Sequence, residues 1–195
     1  MSNLQAQDGG VLAKTLGLLL IVALVGAGAM YVYGKRQQPL SVDKATLHAT
    51  DTAKGNVVLA PGGRIYLATI VHNDGTFPVT LQGIANTPAT NDQPYVATSV
   101  GLGDGKTTNP ASAAAFTSVA LKPGAGVGIF VVYEPNTGLA CTRYADTPGS
   151  GTAFPPIPMS FNTYGVESTQ SIAVPSTPEI AGFTRAQCEA AIGGG

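Results

Sequence analysis

Tryptophan is missing from the 195 residues, charged side chains make up only 11% of them, and cysteine and histidine occur twice each. Each shortage removes a class of function. From residue 40 onward seven basic residues (Lys44, Lys54, Arg64, Lys106, Lys122, Arg143, Arg185) are scattered among ten acidic ones. That balance offers no cationic stripe for phosphates, so nucleic acid is not an expected partner. No C-x-x-C, H-E-x-x-H or G-x-S-x-G occurs, so the local signatures of thiol redox, zinc-protease and serine-hydrolase chemistry are absent. No catalytic residue and no cofactor are therefore expected. Low charge does not mean disorder, because 44% of the residues are hydrophobic, enough for a core.

What is abundant is glycine (25) and proline (14). With so few charges, that composition predicts a turn-rich, mainly β domain. The one long apolar run is TLGLLLIVALVGAGAMYVYG, Thr15 to Gly34, uncharged between Lys14 and Lys35. Twenty residues at 1.5 Å each span about 30 Å, the thickness of a bilayer's hydrocarbon. Leu16, Leu20 and Val25 would lie among lipid tails, with Tyr31 and Tyr33 at one interface beside Lys35 and Arg36. Membrane lipid is thus one expected partner.

Ala27-Gly28-Ala29 also fits the cleavage site of a signal peptide. The apolar run continues past it to Tyr33, and only Asp8 carries charge before Lys14, which favours an uncleaved anchor. A pilin-type leader cut after Gly10, giving a filament subunit, is a further alternative. It lacks a basic leader, and Thr15 occupies the fifth mature position, where pilins carry an acid. Flanking charge slightly favours a cytoplasmic C-terminus. The composition of the large domain, with few lysines, many Thr and Gly and two cysteines that could pair, outweighs that small bias. The expected protein is single-pass, N-terminus cytoplasmic, C-terminal domain extracytoplasmic.

Residues 1–14 read as a tail, 15–34 as the transmembrane helix, 35–43 as a linker closed by Pro39, and 44–195 as the ectodomain. Short strands are predicted at 44–50, 56–60, 64–72, 77–84, 94–100, 116–121, 127–135, 156–162 and 166–174, with turn residues between them. Both faces of 64–72 are mostly apolar, which marks it as an inner strand. Thr184 with Gln187 forms a capping box for a short C-terminal helix. The spacing predicts an immunoglobulin-like antiparallel β-sandwich.

VLAPGGRIYLATIVHNDGTFPVTLQGI followed by ALKPGAGVGIFVVYEP resembles bacterial immunoglobulin-like domains of the ASPM–SPD-2–Hydin and major-sperm-protein kind. The likeness covers residues 56 to 135: a Pro-Gly turn, a strand ending in Asn-x-Gly, a strand opening on Pro-Val-Thr, and a second Pro-Gly turn before a strand ending in Pro. A similar pattern occurs in membrane-anchored extracytoplasmic proteins of actinobacteria. It implies a non-catalytic structural or binding module. Cys141 and the C-terminal helix lie outside the shared pattern.

Cys141 and Cys188 are expected to pair in an oxidising compartment. Closing a loop of about 48 residues would stabilise by about 4 kcal/mol in the chain-entropy model. His48 and His72, joined by Asp51 or Asp74, are the residues from which a metal site could be built. Their spacing does not demand one, and they read as strand-edge histidines facing solvent.

GLGDGKTTNP, Gly101 to Pro110, looks like a phosphate-cradling loop. The required first glycine falls at Val100, and the segment after it reads as strand rather than helix. No nucleotide is expected; the loop reads as a flexible surface excursion with Lys106 solvated. Asn109 and Pro110 would start a single helical turn.

The expected function is that of a membrane-anchored, non-catalytic structural or interaction protein, an accessory subunit or docking module of a membrane or cell-envelope complex. Its protein partner would meet the segments from Ala85 to Ala115 and from Tyr144 to Pro158, with helix contacts through Ala23, Gly26, Ala27 and Gly28. The alternative from another class is a small-ligand or metal-binding envelope sensor or chaperone.

Overall fold

The apolar run folds as one helix, α1 (Asp8–Arg36), in a computed structural model that describes residues 8–86 and 92–193, with backbone alone for 8–13 and 34–36. Leu- and Ala-rich sequence free of proline favours helix throughout, and the chain leaves it shortly before Pro39, whose ring excludes helical geometry from its predecessor. The helix is longer than its apolar stretch. Asp8 to Lys14, expected as a tail, are already helical, while Met1 to Gln7 lie outside the described residues.

The chain divides into two units between Gln37 and Gln38. Among the described residues, the second unit holds twelve strands: β1 (Leu40–Val42), β2 (Thr46–Ala49), β3 (Thr52–Ala53), β4 (Asn56–Val57), β5 (Ile65–Asn73), β6 (Val79–Ile84), β7 (Tyr95–Leu102), β8 (Ala114–Ala115), β9 (Val119–Leu121), β10 (Gly126–Pro135), β11 (Ile157–Thr163) and β12 (Val166–Ile172). A short helix, α2 (Arg185–Gly193), follows. One sheet runs β1-β5-β10-β7-β8 with β2 also paired to β5, the other runs β12-β11-β6-β9, and β3–β4 form a separate hairpin. Every ladder is antiparallel. The mainly β, antiparallel sandwich of immunoglobulin-like class with an apolar N-terminal helix and a short C-terminal one is as the residues predict.

Period-two alternation sorts the core. Ile65, Leu67, Val71, Ile129, Val131 and Tyr133 point inward from the first sheet; Leu81, Ile157, Met159 and Phe161 point inward from the second, and all are fully buried in one cluster. β5 is an inner strand, as expected, lying between β10 on one side and β1 and β2 on the other.

The expected linker of 35–43 is corrected at both ends. Helix runs through Arg36, and Leu40–Val42 form β1 against Asn73–Val71 of β5. Three residues are too few to show a period, and only the unsatisfied edge of β5 makes a strand of them. Leu40 is also clamped by Gln170 on β12: its N–H donates to Gln170 Oε1 (3.0 Å), and Gln170 Nε2 donates to its carbonyl (2.6 Å). A side-chain amide thereby closes a two-bond ring with the backbone and joins the two sheets.

Tyr95 ties down the excursion between β2 and β5. Its hydroxyl donates to the Val58 carbonyl (2.9 Å), and burial pushes its phenol up to about 12. Burial raises the Tyr133 phenol as well. A phenol held neutral in the fold but free to ionise near 10 once unfolded contributes stability below pH 10 that is lost as pH climbs toward the folded value. Urea unfolding between pH 9 and 11.5 is therefore expected to show stability falling above pH 10 by about 1.4 kcal/mol per pH unit for each such tyrosine. Tyr95→Phe should remove one proton from that slope; a slope unchanged by the substitution would refute the assignment.

Candidate membrane anchor and interaction surfaces

Within α1, Lys14–Tyr33 is long and apolar enough to cross a membrane, with mean hydropathy 2.2 and none of its window buried. Leu16, Leu20, Val25, Tyr31 and Tyr33 are 46–66% exposed. Ala23, Gly26, Ala27 and Gly28 are exposed too, and a Cβ added at Gly26 or Gly28 would meet nothing within 4 Å. The uncharged side chains at 14–33 therefore present apolar surface all round the helix rather than in one stripe.

The disulfide forms between Cys141, in a 3₁₀ turn after β10, and Cys188 on α2, with Cα atoms 5.6 Å apart. It fits an oxidising compartment. The capping box forms reciprocally: Gln187 N–H donates to Thr184 Oγ1 (3.2 Å), and Thr184 N–H donates to Gln187 Oε1 (2.7 Å).

The glycine loop is neither a phosphate cradle nor loose. Gly101 and Leu102 extend β7, and Gly103 N–H donates to the Gly128 carbonyl (3.0 Å), which folds the loop back over the sheet. A Cβ at Gly128 would strike the backbone of Gly103, Asp104 and Gly105, so the close approach requires glycine there. The amides of Lys106 and Thr107, the groups that would face a phosphate, donate instead to Asp104 Oδ1 (2.8 and 2.7 Å). The Thr107 hydroxyl donates to Oδ2 (2.6 Å) and, with those amides, draws the carboxyl down from 3.8 to about 2. The loop carries its own anion. Lys106 is exposed, as expected, and Asn109 caps the turn at Pro110–Ser112 through its side chain (3.0 Å to Ala111 N–H).

The structure does not bring His48 and His72 together. His48 pairs with Tyr66 across the ladder, six residues or about 20 Å from His72 along β5. His48 stacks on Tyr66 (6.4 Å), which stacks on Phe130 (5.8 Å), a row of rings across β2, β5 and β10. His72 Nε2 lies 3.1 Å from Asp43 Oδ2. Among the described residues, no three His, Cys, Asp or Glu side chains converge as a metal site would need.

The two segments expected to meet a partner are each partly folded into the sandwich. Ala85 to Ala115 contains β7, the tied loop and β8; its exposed remainder runs from Lys106 to Ala115, and 87–91 lie outside the described residues. In Tyr144 to Pro158, Phe154 packs edge-on against Tyr133 (4.9 Å), Thr152 is bridged to Ile180, and Pro155 is buried. Only the stretch from Ala145 to Ala153 is left outward. A cleft of about 370 Å³ opens beside it, between Tyr144, Gly149–Thr152 and Ala181–Phe183. A smaller hollow of about 240 Å³ lies over the Arg64–Glu134 ion pair (3.0 Å) and the end of α2.

Residue reading found one Asn-x-Gly turn but missed that it recurs. The two central strands each run out into Asn-x-Gly, Asn73-Asp74-Gly75 after β5 and Asn136-Thr137-Gly138 after β10. In both, the asparagine Oδ1 accepts the glycine N–H at 3.0 Å, and Nδ2 donates to a carbonyl of another segment. Asn73, wholly buried, donates to Phe77 (2.8 Å) and Leu121 (3.0 Å). The repeated tripeptide was the available signal. No protein-family model matches this sequence, and no curated protein matches it.

Proposed function

We propose that the chain is a bilayer-anchored, non-catalytic interaction protein whose N-terminus is cytoplasmic and whose β-sandwich is displayed in an oxidising, extracytoplasmic space for docking on a protein of a membrane or envelope complex. The observation that carries this reading is the 20-residue apolar stretch from Lys14 to Tyr33, no part of which the described chain covers. The Cys141–Cys188 bond supports the compartment. The likeness of residues 56 to 135 to immunoglobulin-like modules supports a docking role, as does the exposed arm at 106–115 beside the short edge strand β8.

In membranes of an expressing cell, the chain is expected to stay in the pellet after alkaline carbonate extraction. Protease added outside sealed spheroplasts should degrade the sandwich, and mild detergent should release it in a complex larger than one chain. Release by carbonate would remove the anchor, protection from protease would reverse the orientation, and a lone monomer in mild detergent would remove the docking role.

A further inference from the structure

Among the described residues of the sandwich, one large hydrophobic side chain stands exposed: Tyr164, at 58%. It occupies the first position of the two-residue turn between β11 and β12, with φ +52, followed by Gly165 at φ +83. Both values are those of a type I′ hairpin, where asparagine or glycine is the unstrained choice and a bulky ring is disfavoured. A strained residue that is also needlessly apolar asks for a reason outside the fold. Its ring is propped edge-on by Phe77 at 5.3 Å, which aims it away from the core.

The turn lies at a particular end of the domain. Phe77 is held by Asn73 (2.8 Å to its carbonyl), Asp74 N–H donates to the Pro39 carbonyl (2.7 Å), and Leu40 opens β1 opposite Asn73. The chain thus enters the sandwich beside this pair of rings. Only Gln37 and Gln38 separate Pro39 from the last residue of α1, a covalent reach of about 11 Å at full extension. Lys122, Asp74 and Glu167 are exposed at this end and form no cationic patch, so the aromatic rings are what distinguish it. Amphipathic rings of this kind reside where hydrocarbon meets headgroups.

We infer that Tyr164, supported by Phe77, rests in the interfacial layer of the bilayer that α1 spans, giving the sandwich a second lipid contact; this rests on the anchor reading proposed above. The chain lacks tryptophan, so single reporters are clean. Full-length protein carrying Tyr164→Trp, Thr147→Trp (exposed, at the opposite end) or Val25→Trp is placed in phosphatidylcholine nanodiscs with and without a lipid nitroxide-labelled near the headgroup. The Tyr164→Trp reporter is expected to lose about half its emission, with the Thr147→Trp reporter nearly unchanged. A Tyr164→Trp reporter quenched no more than Thr147→Trp, while Val25→Trp responds to a deeper nitroxide, overturns the inference and leaves the anchor standing. Failure of Val25→Trp to respond overturns both. Tyr164→Asn, which suits the turn, is expected to keep the melting temperature of the parent; a marked fall would assign the tyrosine to the fold instead.

Discussion

Asn73→Ala is expected to lower the unfolding free energy of the sandwich by about 3 kcal/mol, because three hydrogen bonds vanish and two carbonyls lose the donor that Nδ2 supplies. The carbonyls are those of Phe77 and Leu121, and the third lost partner is the Gly75 N–H. The asparagine is wholly buried, so water cannot replace what is removed. Its own backbone also bonds Ala125 (2.9 Å) and Gly124 (2.8 Å), so the β5–β6 and β9–β10 connections loosen together. Urea unfolding checks the magnitude. Asn73→Asp separates hydrogen bonding from packing, since it keeps the shape but turns a donor toward two carbonyl oxygens into an anion. At pH 7 it is expected to cost more than alanine. The folded state then favours the protonated acid more than the unfolded chain does, so this variant should regain stability as pH falls, opposite to the usual carboxylate. An Asn73→Ala protein within 1 kcal/mol of the parent would refute the network's role.

Removing the Cys141–Cys188 bond, by Cys141→Ala with Cys188→Ala, is expected to cost about 4 kcal/mol for a separation of 47 residues. For a domain of this size that lowers the melting temperature by roughly 10 °C. The nine-residue α2 depends on the bond more than the sheets do. It is too short to persist alone, and it holds on through Cys188, Ala191 and its capping box. Proteolysis after Arg185 should therefore accelerate first, before the core opens. Asn73 and Cys141 lie beyond opposite ends of β10, ten residues or about 30 Å apart, so the two losses should add. Equal melting curves with and without reductant would refute the disulfide's contribution.

What the residues disclosed in advance was whatever announces itself locally. Strands β5, β10, β11 and β12 carry their period in sequence; Thr184, Gln187, Asn109 and Pro110 carry their caps. Two segments were shorter than expected. Of 56–60 only Asn56–Val57 is strand, and of 116–121 only Val119–Leu121, because apolar runs do not say whether a ladder partner continues beside them. β1 was invisible for the opposite reason, having a partner but no pattern. The long apolar helix and the cysteine pair could be read from hydrophobic length and count alone. The glycine loop could not be read, since its shape depends on Gly128, more than twenty residues away. Nor could Tyr164, whose meaning lies in a backbone angle that no composition reveals.

The Gln170 clamp on Leu40 bears on what happens when the tether is pulled. Tension on the chain at Pro39 enters the sandwich through β1. That strand is held on β5 by the bond from Asp74 to Pro39, the Leu40–Val42 ladder and the bond from Asp43 to Ile70. The Gln170 amide adds a brace from the second sheet at the first residue to feel the force. Such a junction passes tension into both sheets of the sandwich at once, as a mechanical fastener does.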